Sequence, residues 1–261
     1  MAAKIIIARV ARGSWTRTEV SDFIVGAYCS SSPLAGKIVV ATVDQEPTSC
    51  ARNMVVKQCR AHGWNKDDVI MMVDDDMIPN PGFFDEALRV LYHNPGPTVV
   101  ASPYCGAASG FPVLVQEKDH NGILRGISRQ AAARKTGTQE TFLVGTGLIA
   151  TTLATFDAIS PPYFDYTYDS QEMNQAVQTE DYYFCCKVLL AKGKVFCTWD
   201  HWSDHAKTIV ITKPVIDPDW QGAGFEELPP NAFVCSADDY TMKAPDVVPT
   251  PLSTRSPYSH S

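Results

Sequence analysis

An α/β fold with a mainly parallel central sheet flanked by helices is predicted by three features of the 261-residue sequence. Through the first hundred residues, segments patterned as buried strands alternate with segments of helical periodicity. The connections between them are short, and a composition of 45% hydrophobic and 20% charged residues suits a chain that builds one large core. That composition also argues against a coiled coil and against general disorder. Lys and Arg number 22 against 29 Asp and Glu, a formal net charge of −7, so no general affinity for a nucleic-acid backbone is advertised. The apolar run Ile5-Ile6-Ile7-Ala8 meets Arg9 and Arg12 at once, and no apolar stretch approaches the roughly 20 residues of a spanning helix. A soluble, cytoplasmic protein with no membrane partner is therefore expected. The cysteines, at 29, 50, 59, 105, 185, 186, 197 and 235, contain no C-x-x-C pair and are expected to be reduced and mostly buried.

Residues 4–10 read as the first strand. Residues 18–28 place Val20, Phe23, Ile24 and Ala27 on one helical face. Residues 37–43 (KIVVATV) form a second buried strand, and residues 50–62 a second helix with Ser49 as its cap. Residues 68–73 (DVIMMV) form a third strand, closed by Asp74, Asp75 and Asp76. Asn80-Pro81 suits a cap and first turn for a helix running to about Tyr92. Asn94-Pro95-Gly96-Pro97 ends that helix, and residues 98–102 form a fourth strand. Residues 106–139 loosen into Gly-, Ser- and basic-rich sequence with a hairpin around Asn121-Gly122. Order returns in residues 141–150, in a helix starting near Thr179 and closed by Gly193, and in a strand over 194–198. Eight of the 18 prolines fall in the last 49 residues. One domain, residues 1–212, is thus expected, followed by a Pro-rich extension, 213–261, that wraps the surface irregularly and ends in about ten disordered residues.

The acidic triplet is the most informative feature. In an open α/β sheet, ligands collect at the carboxyl ends of the strands, and Asp74–Asp76 stands at such an end after an apolar run. Alternate residues of an extended segment point the same way, which puts Asp74 and Asp76 on one side and Asp75 on another. Three carboxylates so close repel one another unless a cation compensates. A hard divalent ion, Mn²⁺ or Mg²⁺, that also takes substrate phosphate oxygens fits this chemistry. The plainer alternative is a solvated turn with one Asp in an Asx-turn ahead of Asn80.

The segment VIMMVDDDM, with Ala51-Arg52-Asn53 about twenty residues upstream, resembles the GT-A glycosyltransferases, and most closely the group related to glycosyltransferase family 2 that includes many phage-encoded members. VGTGLIAT (144–151) is similar to the family's glycine-bearing strand before the acceptor site, and TED (179–181) to the acidic motif opening its acceptor-side helix. The resemblance covers roughly residues 3–207. It implies a GT-A, Rossmann-like fold and transfer of a sugar from a nucleotide diphosphate sugar, UDP-sugar favoured, to a hydroxyl acceptor with inversion. The acceptor it implies is a glycan or, in a virus, a hydroxymethylated DNA base.

The resemblance also distributes roles. Asp76, with Asp74 beside it, would hold the metal that bridges the diphosphate, and His205 would be a third ligand, with His201 the other candidate. Asp181 would be the catalytic base, with Glu180 able to serve instead. Ala8, Arg9, Val10, Asp44 and Arg52 would approach the nucleotide, Asp75 the ribose, and Gly147 the donor side. The second strand ends TVDQEP where the wider family commonly has D-D-x-S. Read without the family, Asp181 and Glu180 are ordinary first-turn acids, Arg52 is a helix-surface arginine, and the histidines cap or pair with Asp200 and Asp204. Most of Tyr163, Phe164, Tyr166, Tyr168, Tyr182, Tyr183, Trp199 and Trp202 are expected in the core, the rest stacking on a sugar or base. Arg125, Arg129, Arg134 and Lys135 form either a solvated loop or a phosphate-binding arm. A nucleotidyl- or phosphotransferase, which would show a Gly-rich phosphate loop or a second carboxylate cluster, and a non-catalytic nucleotide-sugar-binding module are the alternatives.

Overall fold

The computed structural model describes residues 3–11, 17–44, 47–168, 176–207, 209–222 and 224–226. Strand β1 (Ala3–Ala11) leads to helix α1 (Thr18–Tyr28), β2 (Ala35–Asp44), α2 (Thr48–Ala61), β3 (Val69–Asp74) and the short β4 (Met77–Ile78). Helix α3 (Phe83–His93) and β5 (Thr98–Ala101) follow, then the hairpin β6 (Val115–Lys118) and β7 (Leu124–Gly126), the short α4 (Arg129–Ala133), and strands β8 (Thr138–Thr141), β9 (Leu143–Val144) and β10 (Leu148–Thr152). Helix α5 (Leu153–Ala158), strands β11 (Thr167–Tyr168) and β12 (Ala176–Gln178), helix α6 (Glu180–Leu190) and strands β13 (Lys194–Thr198), β14 (Asp204–Ala206) and β15 (Val210–Ile211) complete the order.

Seven strands form the central sheet in the order β2-β1-β3-β10-β5-β13-β8. Five of them run the same way, and only β10 and β8 are reversed. The mainly parallel α/β architecture expected from the sequence is the one observed. Its strands alternate between two cores, as the period of two requires. Ile6, Ala8 and Val10 of β1 face a core shared with α2, α5 and α6, through Val55, Val56, Phe156 and Phe184. Ile5 and Ile7 face a second core with α1 and α3, through Val20, Phe23, Phe84 and Leu88. Helices on both faces leave the strand ends as the open edge of the three-layer stack.

Several local expectations change in detail. Helix α2 begins at Thr48 after Pro47, so Ser49 lies inside the first turn, buried, and caps nothing. Helix α3 starts three residues after Asn80 with Gly82 at its N-cap, because Asn80 Oδ1 accepts the Gly82 N–H and closes a turn ahead of the helix. The 141–150 segment is two strands in different sheets, β9 with β6 and β10 with β3 and β5, separated at Gly145-Thr146-Gly147. The Asn121-Gly122 hairpin forms as expected, with Gly122 at φ 78°. Among the described residues no helix is long and apolar enough to cross a membrane. Five of the seven described cysteines are buried and all seven are unbridged. Residues 214–222 and 224–226 run back along α4: Gln130 and Arg134 bond the carbonyls of Val215 and Asp217, and Ser128 N–H that of Gly224. The expected extension beyond 226 lies outside the described residues.

Candidate active site

The carboxyl ends of β1 and β3, the start of α2, the 104–114 loop, the first turn of α6 and β14 enclose a cleft of about 370 Å³. Five carboxylates line it, from Asp74, Asp75, Asp76, Glu180 and Asp181, together with Arg52, His205 and Lys207. Val10, Ala11, Thr48 and Tyr104 complete its floor and sides, and Gly106, Ala107 and Ala108 its rim.

Arg52 organises the floor. It occupies the first place of an i, i+3, i+4, i+7 stripe with Val55, Val56 and Cys59, so α2 packs it inward and leaves it 1% exposed. One terminal nitrogen, Nη2, reaches Asp74 Oδ1 and Oδ2 at 3.0 and 2.8 Å and the Thr146 carbonyl at 3.3 Å. The other, Nη1, donates to Glu180 Oε1 at 3.0 Å and Asp181 Oδ1 at 3.2 Å. Its plane lies over Phe164, 5.7 Å from the ring centre, and Phe164 stacks on Phe184 at 4.4 Å. The neighbouring Asn53 fixes that support by donating to the Ser49 and Phe164 carbonyls and accepting from the Tyr163 and Phe164 N–H groups.

One guanidinium serving three carboxylates leaves the group short of positive charge. Burial pushes Asp74 up to about 7, with Asp76 and Asp181 adding to the rise and Arg52 pulling back. Asp181 is likewise raised by burial and by Glu180, against Arg52 and a hydrogen bond from Thr146. The helix macrodipole alone would have favoured its anion; desolvation at the cleft floor outweighs that. Asp181 Oδ1 takes the bonds from both Thr146 Oγ1 and Arg52, which turns Oδ2 to the other side of the carboxylate. The Tyr166 hydroxyl bonds Glu180, and burial with that bond raises its pKa.

The triplet is not one extended segment. Strand geometry stops at Asp74, and Asp75 and Asp76 turn: the N–H groups of Asp74 and Asp75 bond the Gly147 and Val10 carbonyls, and Asp76 offers its own carbonyl to Ala206 N–H. Asp74 and Asp76 therefore take different partners instead of sharing one side. Asp76 Oδ2 contacts Lys207 and lies 3.5 Å from His205 Nε2. Burial acts to raise the Asp76 pKa, but hydrogen bonds from His205 and Lys207 outweigh it and hold the carboxyl down to about 2. Among the described residues no three His, Cys, Asp or Glu side chains gather as a ready metal cluster. Asp76 and His205 nevertheless form a two-ligand seat open to the cleft, a donor set that suits an ion keeping waters and phosphate oxygens in its remaining positions.

The structure brings Val10, Arg52, Asp74, Asp75, Asp76, Glu180, Asp181 and His205 together in the cleft. It does not bring the others there. Ala8 and Arg9 are buried lower in β1, and Asp44 ends β2 in register with Ala11. Gly147 lies behind Tyr104, whose hydroxyl accepts its N–H at 3.2 Å. His201 faces Asn80 at the entry to α3, and not Asp200. Arg52 is not a surface residue. Arg125 and Lys135 pair with Asp119 and Glu117, and Arg129 and Arg134 bond carbonyls of Phe111 and Asp217, so the basic stretch is internally engaged. Tyr163, Phe164, Trp199 and Trp202 are buried, Tyr166, Tyr182 and Tyr183 partly so, and the Tyr168 side chain lies outside the description. Thr146, Tyr104 and Lys207 were not singled out from the sequence. Lys207 had a signal, since in an extended segment it shares a face with His205.

No family model matches the chain, and no curated protein does. Among solved structures, it is similar to A197 from STIV, at 14% identity with a TM-score of 0.51 over 84% of this chain and 98% of that one. It also matches GalNAc-T7, solved with UDP, GalNAc and Mn²⁺, at 9% identity and TM-score 0.45 over 79% of this chain and 44% of that one. A third match is a mannose-1-phosphate geranyltransferase from Thermus thermophilus, at 12% identity and TM-score 0.36 over 62% of this chain and 61% of that one. The A197 likeness is one of fold.

Proposed function

We propose that the chain is a GT-A glycosyltransferase that moves a sugar from a nucleotide diphosphate sugar, a UDP-sugar foremost, to a hydroxyl acceptor with inversion. The observation that carries this reading is the pairing, in one cleft at the strand ends, of the Asp76–His205 seat with the tethered carboxylate of Asp181. Asp76 and His205 would hold Mn²⁺ or Mg²⁺, which as a Lewis acid would stabilise the charge that builds on the leaving diphosphate. Asp74 anchors Arg52, and through it fixes Glu180 and Asp181 relative to the end of β3. Asp181 acts as general base. Its Oδ2 takes the proton of the acceptor hydroxyl while that oxygen bonds to the anomeric carbon, and the electron pair of the breaking carbon–oxygen bond leaves with the diphosphate. A pKa raised by burial makes Asp181 a stronger base than a solvated aspartate. Asp75 and Val10, both lining the cleft, would approach the ribose and base, and the acceptor would be a glycan or a modified DNA base.

The test is donor turnover without acceptor across UDP-, GDP- and dTDP-sugars, with Mn²⁺ and with EDTA. Metal-stimulated hydrolysis of one donor class supports the reading. No hydrolysis and no nucleoside diphosphate binding under any condition removes it.

A further inference from the structure

Lys207 stands at the Asp76–His205 seat and has no part in the mechanism above. Its ammonium contacts Asp76 Oδ2, the oxygen that also faces His205 Nε2. His205 Nδ1 lies 3.1 Å from the carbonyl oxygen of Cys105. A carbonyl only accepts, so Nδ1 carries a proton and the other edge of the ring, Nε2, is left to face Asp76. Asp76 Oδ2 is thus met from two sides, by the imidazole edge and by the ammonium of Lys207, and the ammonium occupies the place that a divalent ion would need. The Lys207 side chain is 39% exposed, follows β14 by one residue, and carries its charge on a flexible four-carbon stem. Its ammonium can leave the seat without moving the strand. Arg52, by contrast, is buried and bonded to three carboxylates. Lys207 is therefore the cleft cation, among the described residues, with freedom to change partner.

We propose that Lys207 is a placeholder cation: it neutralises the Asp76 seat until a divalent ion displaces it, and its ammonium then turns to the diphosphate of the donor. The proposal rests on the reading of the cleft as a nucleotide diphosphate sugar site. It makes metal entry an exchange of one cation for another, and couples that exchange to donor binding.

Mn²⁺ binding in the absence of nucleotide, followed by electron paramagnetic resonance and calorimetry on the full chain, tests the first half with Lys207→Met, Lys207→Arg and Asp76→Asn. Lys207→Met should bind Mn²⁺ about fivefold more tightly than the wild type, the scale of a lost competing ion pair. Lys207→Arg should stay near the wild type, and Asp76→Asn should lose binding. For the second half, UDP, GDP and dTDP are titrated with and without Mn²⁺; Lys207→Met should bind the preferred diphosphate about tenfold more weakly when Mn²⁺ is present, through loss of a charge-assisted contact. Unchanged or weaker Mn²⁺ affinity in Lys207→Met overturns the placeholder role even where diphosphates bind. Absence of diphosphate binding in every variant, with Mn²⁺ tightened by Lys207→Met, overturns the donor-site reading and the second half while the exchange stands.

Discussion

Arg52 grips Asp74 by both carboxylate oxygens, although 22 residues separate them in the chain and each belongs to a different element. The same guanidinium holds Glu180 and Asp181 from the far side of the cleft. It is a brace between the strand end that carries the acidic triplet and the helix that carries the proposed base.

Replacing Arg52 by Met should therefore be costly. Three carboxylates would remain at the cleft floor without their cation, a loss of about 3–5 kcal/mol by the scale of broken buried ion pairs. Arg52→Lys keeps the charge but not the fork, and should recover only part of the stability. Urea unfolding of the three proteins at pH 7 measures both.

Asp181→Asn should lower the transfer rate by about 10²–10⁴-fold, the range of a lost general base, with nucleoside diphosphate affinity retained. Glu180→Gln, at a carboxylate held by Arg52 and Tyr166, should reduce the rate less. Single-turnover kinetics together with UDP titration separates these outcomes; equal losses in the two variants would remove the assignment of the base to Asp181.

Stability should depend on pH in two opposite senses. Burial raises the Asp74 carboxyl from 3.8 to about 7, so the folded chain keeps a proton there that the unfolded chain has released. That contribution is complete below the unfolded value and disappears as pH climbs through about 7. Asp76 sits low, at about 2, so its contribution is present above 3.8 and disappears as pH falls toward 2. Unfolding midpoints from pH 2 to 8 should show a flatter profile for Asp74→Asn between 4 and 7, and for Asp76→Asn below 4.

Gly147→Ala should destabilise the protein by about 1–3 kcal/mol, the cost of overpacking, because the new methyl would lie 2.9 Å from Met77 Sδ and from Tyr104 Cζ. Gly26→Ala in α1 is the contrasting case: a Cβ there meets nothing within 4 Å, and in a helix interior the change should stabilise by about 0.5–1 kcal/mol. Thermal melts of the two variants should shift in opposite directions.

What could be read from the sequence was what local pattern encodes. Helix α1 and strand β13 appear with the bounds that their apolar spacing predicts. The triplet stands at the end of a strand because a five-residue apolar run leads into it. Arg52 was harder. Its partners Glu180 and Asp181 lie 128 and 129 residues away, and no local rule joins them. The available clue was its place at the head of the Val55-Val56-Cys59 stripe, an arginine where a core residue belongs. Strand β10 was hidden inside the 141–150 run because a continuous apolar segment does not say which sheet each half will join or in which direction.

That reversed strand has a kinetic consequence. Lying between β3 and β5 and running against both, β10 brings the residues just ahead of it, Thr146 and Gly147, to the edge where its neighbours deliver their ends. The floor of the cleft is thus drawn from early, middle and late parts of the polypeptide, and it is not complete until α6 has been made and docked. Such long loops close slowly. A growing chain on the ribosome can join its arginine to the end of the third strand early, but it gains a complete crevice only once Glu180 and Asp181 have emerged and docked.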